Sequence, residues 1–209
     1  MARRSASLDH RPLRRDAELN LARIVVAARD VFAELGYEAS MEQIAARADV
    51  GVGTLYRRFP TKADLLDAVA DAAKERTKEI AQQVMAEVPG PEAVFEFLRR
   101  CVAVPSCWRA TISRSPWSGH KSPLVEVAPL IDRILKLSQQ AGTVRRDVRT
   151  SDLVVLLMSV RAVADLFEPH APGSARRFLE LALDGLRPGQ PARLPAPMTP
   201  AQLDDVFTR

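Results

Sequence analysis

The sequence predicts an all-α protein: a small three-helix head at the N-terminus, followed by a larger helical domain. Three observations predict it. Apolar residues recur at three- and four-residue spacing from Asp16 to about Gly185, the period of a one-sided helix. Proline and glycine fall between those periodic runs, where they punctuate helices. No stretch alternates apolar and polar residues as a half-buried strand does.

The elements follow in order. Residues 1–15 read as a basic arm, with Arg3, Arg4, Arg11, Arg14 and Arg15 against Asp9. Such an arm either lies along a phosphate backbone or is a solvated terminus without a partner. Asp16 to Leu35 forms the first helix, striped by Leu21, Ile24, Val25, Ala28, Val31, Phe32 and Leu35. Gly36 suits its C-terminal stop. Ser40-Met41-Glu42-Gln43 is a capping box, serine to the amide of Gln43 and Gln43 back to Ser40. The second helix is short, Met41 to about Ala48, and Asp49-Val50-Gly51 makes a turn. A third short helix runs from about Val52 to Phe59 and stops at Pro60, because a residue before proline avoids helical geometry. Thr61 caps a long helix from Lys62 to about Val88.

After Pro89-Gly90-Pro91, helices are expected over Glu92–Val104, Leu124–Ala141, Ser151–Phe167 and Ser174–Leu186. A short helix near Cys107–Ser113 and one turn after Thr199-Pro200 are also expected. The domain plan is arm 1–15, head 16–65, helical domain 66–187 and Pro-rich tail 188–209.

Composition limits function. Hydrophobic residues make up 47% and charged residues 27%, an ordinary globular balance. Two cysteines, Cys101 and Cys107, are too few for a disulfide framework and are not spaced for zinc, so no metal is expected. The composition fits a reducing cytoplasm. No apolar run reaches the roughly 18–20 residues that cross a bilayer, and the N-terminus lacks a signal-peptide core. His10, His120 and His170 are scattered, and no Gly-x-Ser-x-Gly, His-Glu-x-x-His or phosphate loop occurs. An enzyme using Cys107 or His120 is the rival reading, and a protein–protein adaptor is another. The expectation is no enzyme and no cofactor.

The informative stretch is Ser40 to Lys62. Two short helices joined by a tight turn make a helix-turn-helix, with Ile44, Ala45, Ala48, Val50, Leu55 and Phe59 spaced to pack on the first helix. That leaves Val52, Gly53, Thr54, Tyr56, Arg57 and Arg58 on the outer side of the third helix. Gly53 and Thr54 lie near its start, where backbone amides are accessible. Tyr56 offers a hydroxyl on a stiff ring, and Arg57 and Arg58 offer forks that fit phosphates and guanine edges. A rod of this size fits the major groove. From the helix pattern alone, a pair of short structural helices is the alternative.

Phe32-Ala33-Glu34-Leu35-Gly36-Tyr37, Met41-Glu42-Gln43-Ile44-Ala45, Gly51-Val52-Gly53-Thr54-Leu55-Tyr56-Arg57-Arg58-Phe59 and Lys62-Ala63-Asp64-Leu65-Leu66 resemble the N-terminal signature of the TetR family. The resemblance implies a regulator, by family default a repressor, bound to palindromic double-stranded DNA. It implies that Val52, Gly53, Tyr56 and Arg57 face bases, with Thr54, Tyr56, Arg58 and Lys62 near phosphates. Ala141-Gly142, Val144-Arg145, Asp147-Val148, Asp152-Leu153 and Leu183-Asp184-Gly185-Leu186-Arg187 resemble actinobacterial-style members.

The resemblance further implies a homodimer through a four-helix bundle of the last two long helices. Leu153, Leu156, Leu157 and Val160, with Phe178, Leu179, Ala182, Leu183 and Leu186, are the candidate interface. A helix apolar on more than one face needs two surfaces to bury it; the alternative is that both stripes serve one monomer core. It also implies a pocket for an unknown small-molecule effector. Candidate lining residues are Phe95, Leu98, Cys101, Val102, Trp108, Trp117, Met158, Arg161 and Asp165. Arg161 and Asp165 either anchor a polar ligand group or form an i,i+4 ion pair. The tryptophans and Cys101 also suit a plain core. A ligand preferring the form with badly spaced heads would release DNA by population shift.

Overall fold

A computed structural model describes residues 11–104, 123–168, 170–189 and 194–202, all helix or connecting chain. The helices are α1 (Arg11–Leu35), α2 (Met41–Ala48), α3 (Val52–Arg58), α4 (Lys62–Glu87), α5 (Ala93–Ala103), α6 (Pro123–Gln140), α7 (Thr150–Phe167) and α8 (Ser174–Asp184). The tail adds a turn from Pro200, where Thr199 Oγ1 accepts from the Gln202 amide at 3.2 Å. Residues 107–113, where a short helix is expected, lie outside the described residues.

Local signals set most boundaries. Gly36 turns the chain at φ +66°, a conformation costly for residues with a Cβ. α1 starts at Arg11, five residues before the expected Asp16. Pro12 at its start is compatible, since the first-turn amides have no intrahelical partner. The expected arm therefore contributes its last five residues to α1, and residues 1–10 lie outside the described part.

Two apolar cores divide the molecule. The first packs Ile24, Ala28, Val31 and Phe32 of α1 against Ile44, Ala45 and Ala48 of α2, Leu55 of α3 and Leu65, Leu66 and Val69 of α4. Leu66 and Val69 lie beyond the expected head boundary at residue 65. The second core gathers Ile80, Ala81 and Val84 of α4 with residues of α5, α6, α7 and α8. Helix α4 thus has one end in each core. Between Asp71 and Glu79 its side chains are exposed or half-buried, and Lys74 and Lys78 reach Glu126 of α6 at 3.4 and 3.2 Å.

The end of the second core away from this junction is tied by polar groups. Ser138 is fully buried; its Oγ accepts from the Val94 amide at 3.2 Å and donates to the Gly90 carbonyl at 3.3 Å. Val94 lies in the first turn of α5 and Gly90 in the chain leading to it, so a buried hydroxyl is satisfied while it ties down the start of a neighbouring helix. No described helix is long and apolar enough to cross a membrane.

Candidate nucleic-acid interface

Three local devices build the head's outer face. Ser40 Oγ accepts from the Gln43 amide at 3.2 Å, and Gln43 Oε1 accepts from the Ser40 amide at 2.8 Å, the reciprocal cap expected for α2. The turn places Asp49 at φ +54° and closes with Arg23 Nη2 donating to the Ala48 carbonyl at 3.0 Å. Thr61 Oγ1 accepts from the Asp64 amide at 3.1 Å, starting α4 directly after α3.

Helix α3 is held from one side only. Leu55 is fully buried and Phe59 almost so. The other face is open: Val52 is 37% and Tyr56 43% exposed, and Gly53, Thr54, Arg57 and Arg58 are exposed. A Cβ added at Gly53 would meet no atom within 4 Å, so the bare backbone there is not demanded by packing. The six residues expected on the outer side of α3 all lie there.

Lys62 has partners within the chain. Its ammonium donates to the Tyr37 carbonyl and, at 3.0 Å, to the Ala39 carbonyl, and sits 4.3 Å from the centre of the Tyr37 ring. These contacts clasp the start of α4 to the chain entering α2. The physical reason is that two carbonyls and a π face supply a fixed local counter-field for the charge.

The candidate sensor residues behave differently. Phe95, Leu98 and Cys101 are buried within the second core, so they are packed interior and do not line an open pocket. Burial pushes the Cys101 thiol up to about 12, leaving it protonated and unreactive. Val102 and Met158 are half-buried against the same core. Arg161 is half-buried on α7 and donates to the carbonyls of Cys101 and Val104 at the end of α5. Asp165 lies on α7, its side chain outside the described part, as are Trp108 and Trp117. A cleft of about 410 Å³ opens elsewhere, lined by Gln139, Gln140, Gly142, Val144, Arg145, Arg146, Asp147, Pro188 and Gly189. None of the expected pocket residues belongs to it.

Burial within one chain divides the candidate interface residues. Leu153, Val160, Leu179, Leu183 and Leu186 are buried in the chain's own core, and Leu156, Leu157 and Ala182 are half-buried. Phe178 alone of the nine is exposed, at 39%. The exposed apolar stripe is offset around the helices. It comprises Val155, Leu166 and Phe167 on α7, with Phe178 and Leu181 on α8; Leu166 and Leu181 reach 63% and 62%. Both faces of these helices are apolar, so composition could not say which one the monomer takes.

Residues 24–69 match the family described as "Bacterial regulatory proteins, tetR family", and residues 89–188 match "Transcriptional regulator SbtR-like, C-terminal domain". A TetR transcriptional regulator from Streptomyces coelicolor is 32% identical, with 80% of this chain and 98% of that one covered and a TM-score of 0.58. A TetR transcription regulatory protein from Mycobacterium vanbaalenii is also 32% identical, covering 85% and 100% with a TM-score of 0.63. An HTH-type transcriptional regulator of Mycobacterium tuberculosis is 38% identical over 73 residues, 34% of this chain and 37% of that protein. The chain thus spans little more than a third of that relative's length. The head, the long α4 and the helical second domain are shared with the structurally solved relatives along nearly their whole length, and the chain belongs to the TetR family of helix-turn-helix transcriptional regulators.

Proposed function

We propose that this regulator binds a palindromic operator as a homodimer, each protomer inserting α3 into a major groove, and that a small-molecule effector releases it. The family and fold are those of a DNA-binding regulator and not of an enzyme. The observation that carries the reading is the one-sided anchoring of α3. Leu55 and Phe59 fix the rod from within, while Tyr56, Arg57 and Arg58 stand in solvent. Neither arginine makes an ion pair among the described residues, so both forks are available for guanine edges or phosphates.

Dimerisation is supported by the exposed stripe on α7 and α8. Leu166, Phe167 and Leu181 are large apolar side chains at the surface of two adjacent helices, and a second copy of the same face would bury them. Two α3 rods then meet half-sites about one DNA turn, roughly 34–36 Å, apart. Because Phe95, Leu98 and Cys101 are sealed, an effector at that place enters only by parting α5 from its neighbours. Its differential affinity for the parted form sets the extent of release. Repression is the proposed outcome, by blocking the promoter.

The test is selection of bound duplexes from random DNA by the full-length protein. The reading expects a two-fold symmetric motif and loss of that preference in Arg57→Ala. An asymmetric single site, or no enrichment, contradicts it.

A further inference from the structure

We infer that the cleft between the α6–α7 connection and the chain leaving α8 is a binding site for a small organic anion, a carboxylate or a phosphate ester, with Arg146 holding its charge. The cleft has a volume of about 410 Å³, inside the range of about 300–1,000 Å³ usual for small-molecule sites. No residue of the head lines it. Gln139 in its wall is thirteen residues along α6 from Glu126, about 20 Å of helix, and Glu126 is where α6 meets the middle of α4. The site therefore goes beyond the DNA-binding reading and does not depend on it.

The walls are fixed by hydrogen bonds within the chain. Gly142 turns the backbone out of α6 at φ +75°, and the Thr143 amide donates to the Ser138 carbonyl at 3.1 Å. The side-chain nitrogen of Gln139 donates to the carbonyls of Arg145 and Val148 at 3.1 and 3.0 Å. The Arg145 amide donates to the Leu186 carbonyl at 3.0 Å, which joins this wall to the end of α8. Walls held in place before a ligand arrives lose less freedom on binding.

Charge decides the class of ligand. Three charged residues line the cleft: Arg145, Arg146 and Asp147. Arg145 is committed. Its side chain is 10% exposed, and its Nε and Nη2 donate to the two Asp147 carboxylate oxygens, both at 2.6 Å. The Arg145 guanidinium holds the Asp147 carboxyl below its ordinary range, so the aspartate stays ionised and the two charges offset one another. Arg146 remains as the uncompensated charge. It is exposed and its side chain has no ion pair or hydrogen bond among the described residues. A guanidinium fork matches carboxylate and phosphate oxygens. The exposed Gln140 amide and the Pro188 ring, also in the lining, suit a polar group and the apolar body of the same molecule.

The test titrates the isotope-labelled full-length protein with phenyl phosphate, benzoate and benzyl alcohol, three probes that share a ring and differ in head group. The amide signals of Gly142 and Gly189 report the cleft, and those of Gly51 and Gly53 report the head. One or both anions should move the cleft signals saturably, and benzyl alcohol should not. The anion that saturates at lower concentration names the head group. Arg146→Ala should weaken that binding at least about tenfold, the loss of a charge-assisted pair, and Arg146→Glu should abolish it. The side chain is exposed, so both variants should keep the parent's helical spectrum and melting temperature. Undiminished binding in Arg146→Ala overturns the inference. So does movement confined to Gly51 and Gly53, or no saturable movement with either anion. Each of these results leaves the DNA-binding reading standing, because selection of duplexes tests that reading separately.

Discussion

The Lys62 ammonium lies 4.3 Å from the centre of the Tyr37 ring and donates to the carbonyls of Tyr37 and Ala39. One side chain at the start of α4 thus closes the chain that leads into α2. Two charge-assisted hydrogen bonds and a cation–π contact form across 23 to 25 residues of sequence. Replacing Lys62 with Met should destabilise the protein by about 1–3 kcal/mol, since it leaves both carbonyls short of a donor. Urea unfolding measures it. The salt slope of DNA binding should stay as it is; a shallower slope with unchanged stability would mean the ammonium leaves the clasp for a phosphate.

Gly53 separates folding from recognition. A Cβ there meets nothing within 4 Å, and alanine is about 1 kcal/mol better than glycine inside a helix. Gly53→Ala should therefore match or exceed the parent in thermal stability. If the bare backbone serves close approach to DNA, the same variant binds its selected duplex more weakly. Equal affinity would assign Gly53 no part in the interface.

Leu181 and Leu183 are two residues apart on α8 and face opposite fates. Leu181 is 62% exposed and Leu183 is buried. Leu181→Glu should shift the protein to monomers in sedimentation while preserving its helical spectrum. Leu183→Ala should cost roughly 2–5 kcal/mol through reduced burial and a residual cavity. A Leu181→Glu protein that remains dimeric would remove the α7–α8 stripe from the interface.

Glu168 gives a pH signature. Its carboxylate accepts from the amides of Gly173 and Ala175, both at 2.9 Å, which holds it below the usual glutamate value of 4.5. Because the folded value is depressed, the stabilisation is complete above 4.5 and disappears as pH falls through the folded value. Glu168→Gln should therefore be less stable than the parent at pH 6–7, and the gap should shrink as the pH falls below 4.5 and through the depressed folded value. A gap independent of pH would mean that the carboxylate charge contributes nothing to the cap of α8.

These residues also show what the sequence makes legible. Ser40 with Gln43, Gly51, Pro60 and Thr61 act within a turn or two, so the bounds of α2 and α3 and the outer face of α3 could be read directly. Lys62 could be placed in the first turn of α4 but not aimed, because its partners lie at Tyr37 and Ala39, remote in sequence. The same limit applies to α7 and α8. Periodicity identifies apolar faces, but whether Leu153 or Val155 meets the chain's own core depends on how α7 packs against α5 and α6. Phe95, Leu98 and Cys101 fit a pocket wall and a solid core equally by composition; packing decides for the core in this form.

The claim that α3 reads the major groove is tested most directly by methylating guanine N7 in the selected duplex and mapping which methyl groups block binding. N7 lies on the major-groove edge that an arginine fork contacts. Interference should fall at one or two guanines in each half-site for the unaltered protein and lessen at those positions in Arg57→Ala. Binding indifferent to N7 methylation throughout both half-sites, with minor-groove modification blocking it instead, would contradict the claim.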